Sequence, residues 1–199
     1  MKIADCHMHS FFSSDSETPT EDMVKRAIEL GLPAICLTDH YDMDYNTGEF
    51  QLDTPKYAEK IRELQEKYRE KIEIRFGVEL GLQLHLKERM ENYVTMWPFD
   101  YIIGSMHVID GKDPYYEDAF PEWTAEELYR AYFRATAENI RSFHHFQTLG
   151  HLDYVVRYGK EKSRAYSYRT FSDEIDAILK ELIQHDIALE INTGGYKAG

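Results

Sequence analysis

The sequence predicts an α/β fold built from parallel βα units, on three observations. Short apolar runs of strand type recur along the chain, segments of helical periodicity separate them, and 199 residues suffice for one sizeable core without room for two large ones. No low-complexity segment, repeat or linker interrupts the alternation, so residues 1–199 read as a single domain. The pattern alone is satisfied equally by a barrel and by a strongly curved sheet.

Ile3 to Cys6 reads as a short strand running into His7. Thr20 is placed to cap a helix reaching Gly31, with Met23, Ala27, Ile28 and Leu30 along its apolar side. Gly31 stops that helix, and Pro33 to Thr38 is a compact apolar run of the buried-strand kind. Thr54-Pro55 opens a long charged helix to about Lys71, with Pro55 at the first helical position, where no amide donor is needed. Ile72 to Val78 is a strand, Leu82 to Asn92 a helix and Tyr101 to Ser105 a strand. After a loop rich in Tyr and Pro, a helix runs from Thr124 to about Phe146, with Glu127 at capping-box spacing from Thr124. Thr148 to Leu152 is a short strand, Ser172 caps a helix reaching His185, and Ile187 to Ile191 is the last strand.

Composition narrows the function. With 23 basic and 36 acidic residues the net charge is −13. Such a surface repels phosphate backbones and disfavours nucleic acid as a partner. A small phosphorylated substrate remains compatible, because bound metal ions reverse the field locally. No apolar run approaches the ~20 residues needed to span a bilayer. The opening MKIADCHMHS is too short in apolar residues for a signal peptide and holds Asp5 and His7, so a cytoplasmic chain is expected. Cys6 and Cys36 both fall in strand-like segments and read as reduced thiols rather than a disulfide.

The informative residues stand at the strand ends. The first strand ends in Asp5-Cys6-His7-Met8-His9, and residues two apart on an extended segment face the same way, so His7 and His9 can grip one ion. The next strand ends lead into His40, Glu79, His107 and His151 in turn. In parallel βα folds the C-terminal strand ends open on one face, where active sites form. Any one of these histidines, taken alone, is more simply a packing or hydrogen-bonding residue. Their recurrence at successive strand ends predicts a metal site. His85, His144, His145 and His185 lie within or near the ends of helices and are read as structural.

DCHMHS, TDH, GVELG, GSMH and GHLD, with EINTGG at 190–195, resemble in order and spacing the motifs of the PHP (polymerase and histidinol phosphatase) family. Within it they most resemble the monofunctional histidinol phosphatases of histidine biosynthesis. The resemblance implies a distorted (β/α)7-type barrel and up to three divalent ions, Zn, Mn or Fe. It implies that His7, His9 and Glu79 bind one metal, that Glu79, His107 and His151 bind a second, and that Asp15 and His40 contribute to a third. Asp15 lies in a segment that composition alone reads as a polar turn. Arg157 resembles the family's phosphate-holding arginine, and its bland reading is a surface residue in a basic stretch with Lys160, Lys162 and Arg164. Asp153 is a candidate proton donor, or a hydrogen-bond partner orienting a ligand histidine.

The implied reaction is metal-assisted hydrolysis of a phosphate monoester, with histidinol phosphate as the substrate. Family members carry a seventh strand with a G-S-D-x-H motif that this sequence lacks, so the barrel is expected to be truncated before that strand. Only the Glu79–His107–His151 site then keeps all its protein ligands, and a second copy of the chain could cover the open edge. Other PHP-type phosphoesterases, acting on nucleotides or phosphotyrosine, and a catalytically silent metal-binding domain are the competing readings. An amidohydrolase-like site is disfavoured, because no lysine stands at a strand end to carry the carbamate.

Overall fold

The computed structural model describes residues 4–45, 47–116, 118–158, 164 and 166–194. In chain order its elements are α1 (Thr20–Glu29), β1 (Ala34–Leu37), β2 (His40–Tyr41), α2 (Thr54–Tyr68), β3 (Glu73–Gly81), α3 (Lys87–Met96), β4 (Tyr101–Ser105), α4 (Ala125–Ser142), β5 (Thr148–Leu149), α5 (Tyr154–Tyr158), α6 (Ser172–Gln184) and β6 (Ala188–Leu189). A 3-10 turn at Leu84–Leu86 leads into α3, where the sequence suggested one continuous helix from Leu82. The chain forms two compact units, each made of two stretches: Met1–Leu80 with Val94–Ile103, and Gly81–Tyr93 with Gly104–Gly199.

In the first unit β3 is the organising strand. β1 pairs with it in parallel, Ala34 opposite Glu73, and β2 continues along it with His40 opposite Glu79. β3 therefore runs on past Val78, where the sequence pattern ended it, because β2 supplies a further partner. All four residues of β1 are buried, as an unbroken apolar run requires when both faces are covered. The first predicted strand is reduced to one bridge, Asp5 with Ile35, and its start at Ile3 lies outside the described residues. The chain beyond it still follows β1, since Cys36 N–H donates to Asp5 O at 2.8 Å and Thr38 N–H to Met8 O at 3.1 Å.

Two helix starts differ from expectation. Thr20 is already helical, so its hydroxyl cannot reach the free amides of the first turn; it donates to Ser10 Oγ at 3.0 Å, and Pro19 takes the capping position. The buried stripe of α1 is Thr20, Val24 and Ala27, whereas Leu30 is 59% exposed. For α2, Asp53 caps by accepting from Lys56 N–H at 3.3 Å, which moves Pro55 to the second position of the first turn. Tyr57, Ile61, Leu64 and Tyr68 form the buried face of α2, and Tyr57 Oη donates to Gly77 O at 3.1 Å. Gly77 is required there by space: a Cβ would stand 2.5 Å from Cys36 Sγ and 2.8 Å from Tyr101 O.

In the second unit Gly150 N–H donates to Gly104 O at 2.9 Å, joining β5 to the end of β4, and β5 pairs in parallel with β6, Thr148 opposite Ala188. α4 packs on α6, burying Leu128, Tyr129, Tyr132, Phe133 and Ile140 on one helix and Ile175, Ile178 and Leu182 on the other. Arg130 clamps the Glu174 carboxylate at 3.0 and 2.9 Å, and Arg134 reaches it at 2.9 Å. The capping box is present: Thr124 Oγ1 accepts from Glu127 N–H at 3.2 Å while Glu127 Oε2 accepts from Thr124 N–H at 2.8 Å. Ser172 does not cap α6; Phe171 precedes the helix and the Ser172 hydroxyl turns back to Arg169 O at 3.4 Å. β5 and β6 are shorter than predicted, and α5 was not anticipated. Ile191, just past β6, is 95% exposed, an apolar side chain at a strand edge. Lys160, Lys162 and Gly195, which fall in the basic stretch and the EINTGG segment, lie outside the described residues.

Both cysteines are free. No helix among the described residues is long and apolar enough to cross a membrane.

Gly77→Ala should lower the unfolding free energy by about 1–3 kcal/mol, the usual cost of overpacking, read as a lower urea midpoint with an unchanged slope. Cys36→Ala in the same chain should recover part of the loss, because it removes the atom nearest the new methyl group. A Gly77→Ala midpoint equal to wild type would mean that the packing around β3 accommodates a methyl group at no cost.

Candidate metal centre

In the first unit a tie at Met8 aims two histidines. Met8 N–H donates to Thr38 Oγ1 at 3.0 Å and Met8 O accepts from Thr38 N–H, so the segment is held along β1 on both sides of one residue. His7 and His9 flank it and their rings stack at 5.2 Å. His40 arrives through the β2–β3 register, and its ring meets that of His9 edge-on at 4.3 Å.

All three rings turn toward Glu79, whose side chain is completely buried. Its Oε2 lies 3.2 Å from His7 Nε2, 3.1 Å from His9 Nε2 and 3.3 Å from His40 Nε2. An unprotonated imidazole nitrogen presents a lone pair, and so does the carboxylate oxygen. Such a group is stable only with protons or a cation among its members. The donor chemistry fits a metal: neutral imidazoles plus a carboxylate suit zinc, manganese or iron. Tetrahedral donors about 2.0–2.1 Å from one ion stand about 3.3–3.4 Å from each other, close to the His–Glu spacings.

Asp15 joins this group from the loop after His9. Its Oδ2 is 3.0 Å from His9 Nδ1 and 3.7 Å from His40 Nε2. Ligand atoms of His9, Asp15 and His40 all lie within 4.8 Å of one another. Burial alone would push the Asp15 carboxyl up, but hydrogen bonds from His40 and His9 outweigh it and hold the group well below the usual carboxylate range. For His9 burial pulls the ring down, and the bonds to Asp15 and Glu79 reverse that into a net rise.

Asp42 is a functional candidate that sequence reasoning missed. It is buried and its Oδ2 lies 3.1 Å from His40 Nδ1, the arrangement that fixes an imidazole tautomer and leaves Nε2 to bind a metal. The signal was available in Thr38-Asp39-His40-Tyr41-Asp42, where two acids flank the histidine.

In the second unit His107 follows β4 and His151 follows β5, their rings 5.3 Å apart. Tyr132 Oη donates to Met106 O at 2.9 Å, fixing the backbone just before His107. Glu190 Oε2 accepts from His151 N–H at 2.8 Å and from Asn192 Nδ2 at 3.0 Å. Glu190 also escaped sequence reasoning, although it too follows a strand. Asp153 does not orient a histidine: its two oxygens accept from Arg157 Nε at 2.9 Å and Nη2 at 2.7 Å. Arg157 is buried on α5 rather than lying on the surface, and its Nη1 faces Gly194. The structure thus brings together His7, His9, Asp15, His40 and Glu79 in one unit, and in the other pairs His107 with His151 and Asp153 with Arg157. His144 and His185 stack on each other at 3.9 Å, in keeping with their structural reading.

The PHP domain family matches residues 5–194. The histidinol-phosphatase of Lactococcus lactis subsp. lactis (strain IL1403) is 36% identical over 194 residues, covering 97% of this chain and 72% of its own length. A crystal structure of histidinol phosphate phosphatase from Lactococcus lactis subsp. lactis Il1403, complexed with zinc, L-histidinol and phosphate, matches with a TM-score of 0.91 at 35% identity, over 96% of this chain and 73% of that one. The predicted α/β parallel-sheet fold of this family is therefore correct.

Zn2+ at a hundredfold its dissociation constant should stabilise the wild-type chain by about 2.7 kcal/mol, seen as a raised melting temperature that chelation reverses. Glu79→Gln should lose most of that increment, because the shared carboxylate is gone. An equal metal-induced shift in the variant would exclude Glu79 as a ligand.

Proposed function

This chain belongs to the PHP domain family, and on that footing we propose that it is a metal-dependent phosphatase converting histidinol phosphate to histidinol in the cytoplasm, as a step of histidine biosynthesis. The observation that carries the reading is the closure of three imidazole nitrogens on one buried oxygen of Glu79, at 3.1–3.3 Å. The zinc, L-histidinol and phosphate bound by the Lactococcus lactis relative support the same substrate here.

In this reading His7, His9, Glu79, His40 and Asp15 hold metal in the first unit and His107 with His151 hold metal in the second, up to three ions in all. Divalent metal there supplies Lewis acidity and lowers the pKa of bound water. Arg157 holds a non-bridging phosphoryl oxygen through Nη1, since its other arm is committed to Asp153. Asp153 keeps that guanidinium in place. The water oxygen bonds to phosphorus and releases a proton, the ester P–O bond breaks, and the departing alkoxide takes up a proton in its place, giving the alcohol and phosphate. Next to the metal ligands of the second unit stands a run of aromatic rings: Tyr154 lies 5.3 Å from His151, Tyr158 lies 5.0 Å from Tyr154, and Tyr115 lies 5.1 Å from Tyr158. Such a wall suits a leaving group with a planar ring and a cationic amine.

Phosphate release by the metal-loaded chain tests the reading, with histidinol phosphate, phosphotyrosine, a nucleoside monophosphate and a chromogenic aryl phosphate compared at equal metal content. The expected outcome is a kcat/KM at least a hundredfold higher for histidinol phosphate. Equal values would make the protein a general phosphoesterase, and metal binding without release from any ester would make it a silent metal-binding domain.

Arg157→Ala should raise KM for phosphate esters by about tenfold or more, the loss of one charge-assisted hydrogen bond of about 1.5–3 kcal/mol, with metal content unchanged. Unaltered kinetics for every ester would leave Arg157 only its link to Asp153.

A further inference from the structure

Asp39 is completely buried in the turn between β1 and β2. Its carboxylate meets three neutral donors. Ser10 N–H reaches Oδ1 at 2.6 Å, Ser13 Oγ reaches Oδ1 at 2.9 Å, and Ser10 Oγ reaches Oδ2 at 2.9 Å. Each contact leads to a ligand of the first unit. Ser10 directly follows His9. Ser13 lies two residues before Asp15, and its hydroxyl also accepts from His40 N–H at 2.8 Å. Asp39 O accepts from Glu79 N–H at 3.1 Å. Between Ser10 and Ser16 the loop folds into two successive turns, Ser13 N–H to Ser10 O at 2.9 Å and Ser16 N–H to Ser13 O at 3.2 Å. A second tier supports the first, with Thr20 Oγ1 donating to Ser10 Oγ at 3.0 Å.

A buried carboxylate without a cationic side chain bonded to it is costly to maintain. Packing alone does not require one at this position. The carboxylate has an acceptor geometry that neither Asn nor an apolar residue supplies: two oxygens, both accepting, that draw residues 10 and 13 onto the same point beside His40. We propose that Asp39 is a positioning residue that assembles the His9–Asp15–His40 metal position, acting through Ser10 and Ser13. The inference rests on the metal-site reading above and assigns Asp39 no contact with metal or substrate. Without this brace residues 10 and 13 lose the tie that holds them beside His40, and Asp15 loses its fixed approach, while His7, His9 and Glu79 keep their own supports at Met8 and β3.

The test uses the full chain and Co2+ as probe. Binding isotherms and the visible absorption of bound Co2+ are measured for wild type, Asp39→Asn and Ser13→Ala, with circular dichroism and urea unfolding as folding controls. Asp39→Asn should remain folded and bind one equivalent of Co2+ about 10–100-fold more weakly, as loss of a supporting group typically does, with a changed absorption envelope. Ser13→Ala should shift the same equivalent in the same direction by less. If Asp39→Asn fails to fold, Ser13→Ala alone decides. Variants that are destabilised yet bind Co2+ with the wild-type isotherm and spectrum would overturn the inference and leave Asp39 a stability residue. A wild-type chain that takes up no Co2+ would overturn the metal-site reading and this inference with it.

Discussion

The register of β2 on β3 is the constraint on which the candidate centre of the first unit depends. It sets His40 opposite Glu79 and so commits a ring nitrogen to a carboxylate that has no access to water. A buried anion of this kind is tolerated only when its surroundings compensate the lost hydration. Three imidazoles crowd it, and none of them can be moved independently. His7 and His9 are fixed by the tie between Met8 and Thr38, and Thr38 lies between β1 and β2. A slip of one residue in β2 would turn His40 to the opposite face and leave Glu79 short of one partner. The close packing at Gly77 serves the same end, since it lets β3 lie against β1 and β4 with Glu79 at a defined depth.

Acidic residues stand behind the candidate ligands as well as among them. Asp42 takes the far nitrogen of His40, and Glu190 the backbone of His151. A carboxylate accepting from the outer N–H of an imidazole raises the basicity of the inner nitrogen and fixes its direction. The net charge of −13 is in part a consequence of this construction. It would be a poor preparation for a phosphate ester if the acids faced the substrate directly. Placed behind histidines, the same acids favour divalent cations, and those reverse the local field toward an anion.

What the sequence made legible was the placement of His107 and His151 just after strands, because that depends on alternation and on a period of two, both local properties; His40 instead opens β2 and Glu79 lies within β3. The strand Tyr101–Ser105 and the capping box at Thr124 were readable for the same reason. Thr20 and Ser172 show the limit. Each is a good capping residue by type, but Pro19 and Phe171 end the preceding segment one position earlier, and each hydroxyl has another acceptor. Asp39 could not be ranked from sequence, since its contacts with Ser10 and Ser13 depend on how the 10–15 loop folds. Helix α5 was hidden by its length: five residues carry too little periodicity to register, so the burial of Arg157, which sets aside its alternative reading as a surface residue, came only from the structure.

The end of the described chain performs for the second unit the service that Asp39 performs for the first. Glu190 holds the backbone of His151, and Asn192 donates to the same carboxylate at 3.0 Å. The Asn192 side-chain oxygen in turn accepts from Gly194 N–H at 2.8 Å, which brings Gly194 beside Arg157. A Cβ at Gly194 would stand 2.9 Å from Arg157 Nη1, so only glycine leaves that nitrogen in its present position. With Nε and Nη2 bound to Asp153, the guanidinium plane is fixed from one side by a carboxylate and crowded from the other by a backbone. One short segment thus sets both the backbone of a candidate metal ligand and the position of the Arg157 guanidinium. A displacement of residues 190–194 would move these two groups together rather than one at a time. Where a phosphoryl group is to be held by metal and arginine at once, as in the function proposed above, a support common to both groups ties their spacing to one piece of backbone.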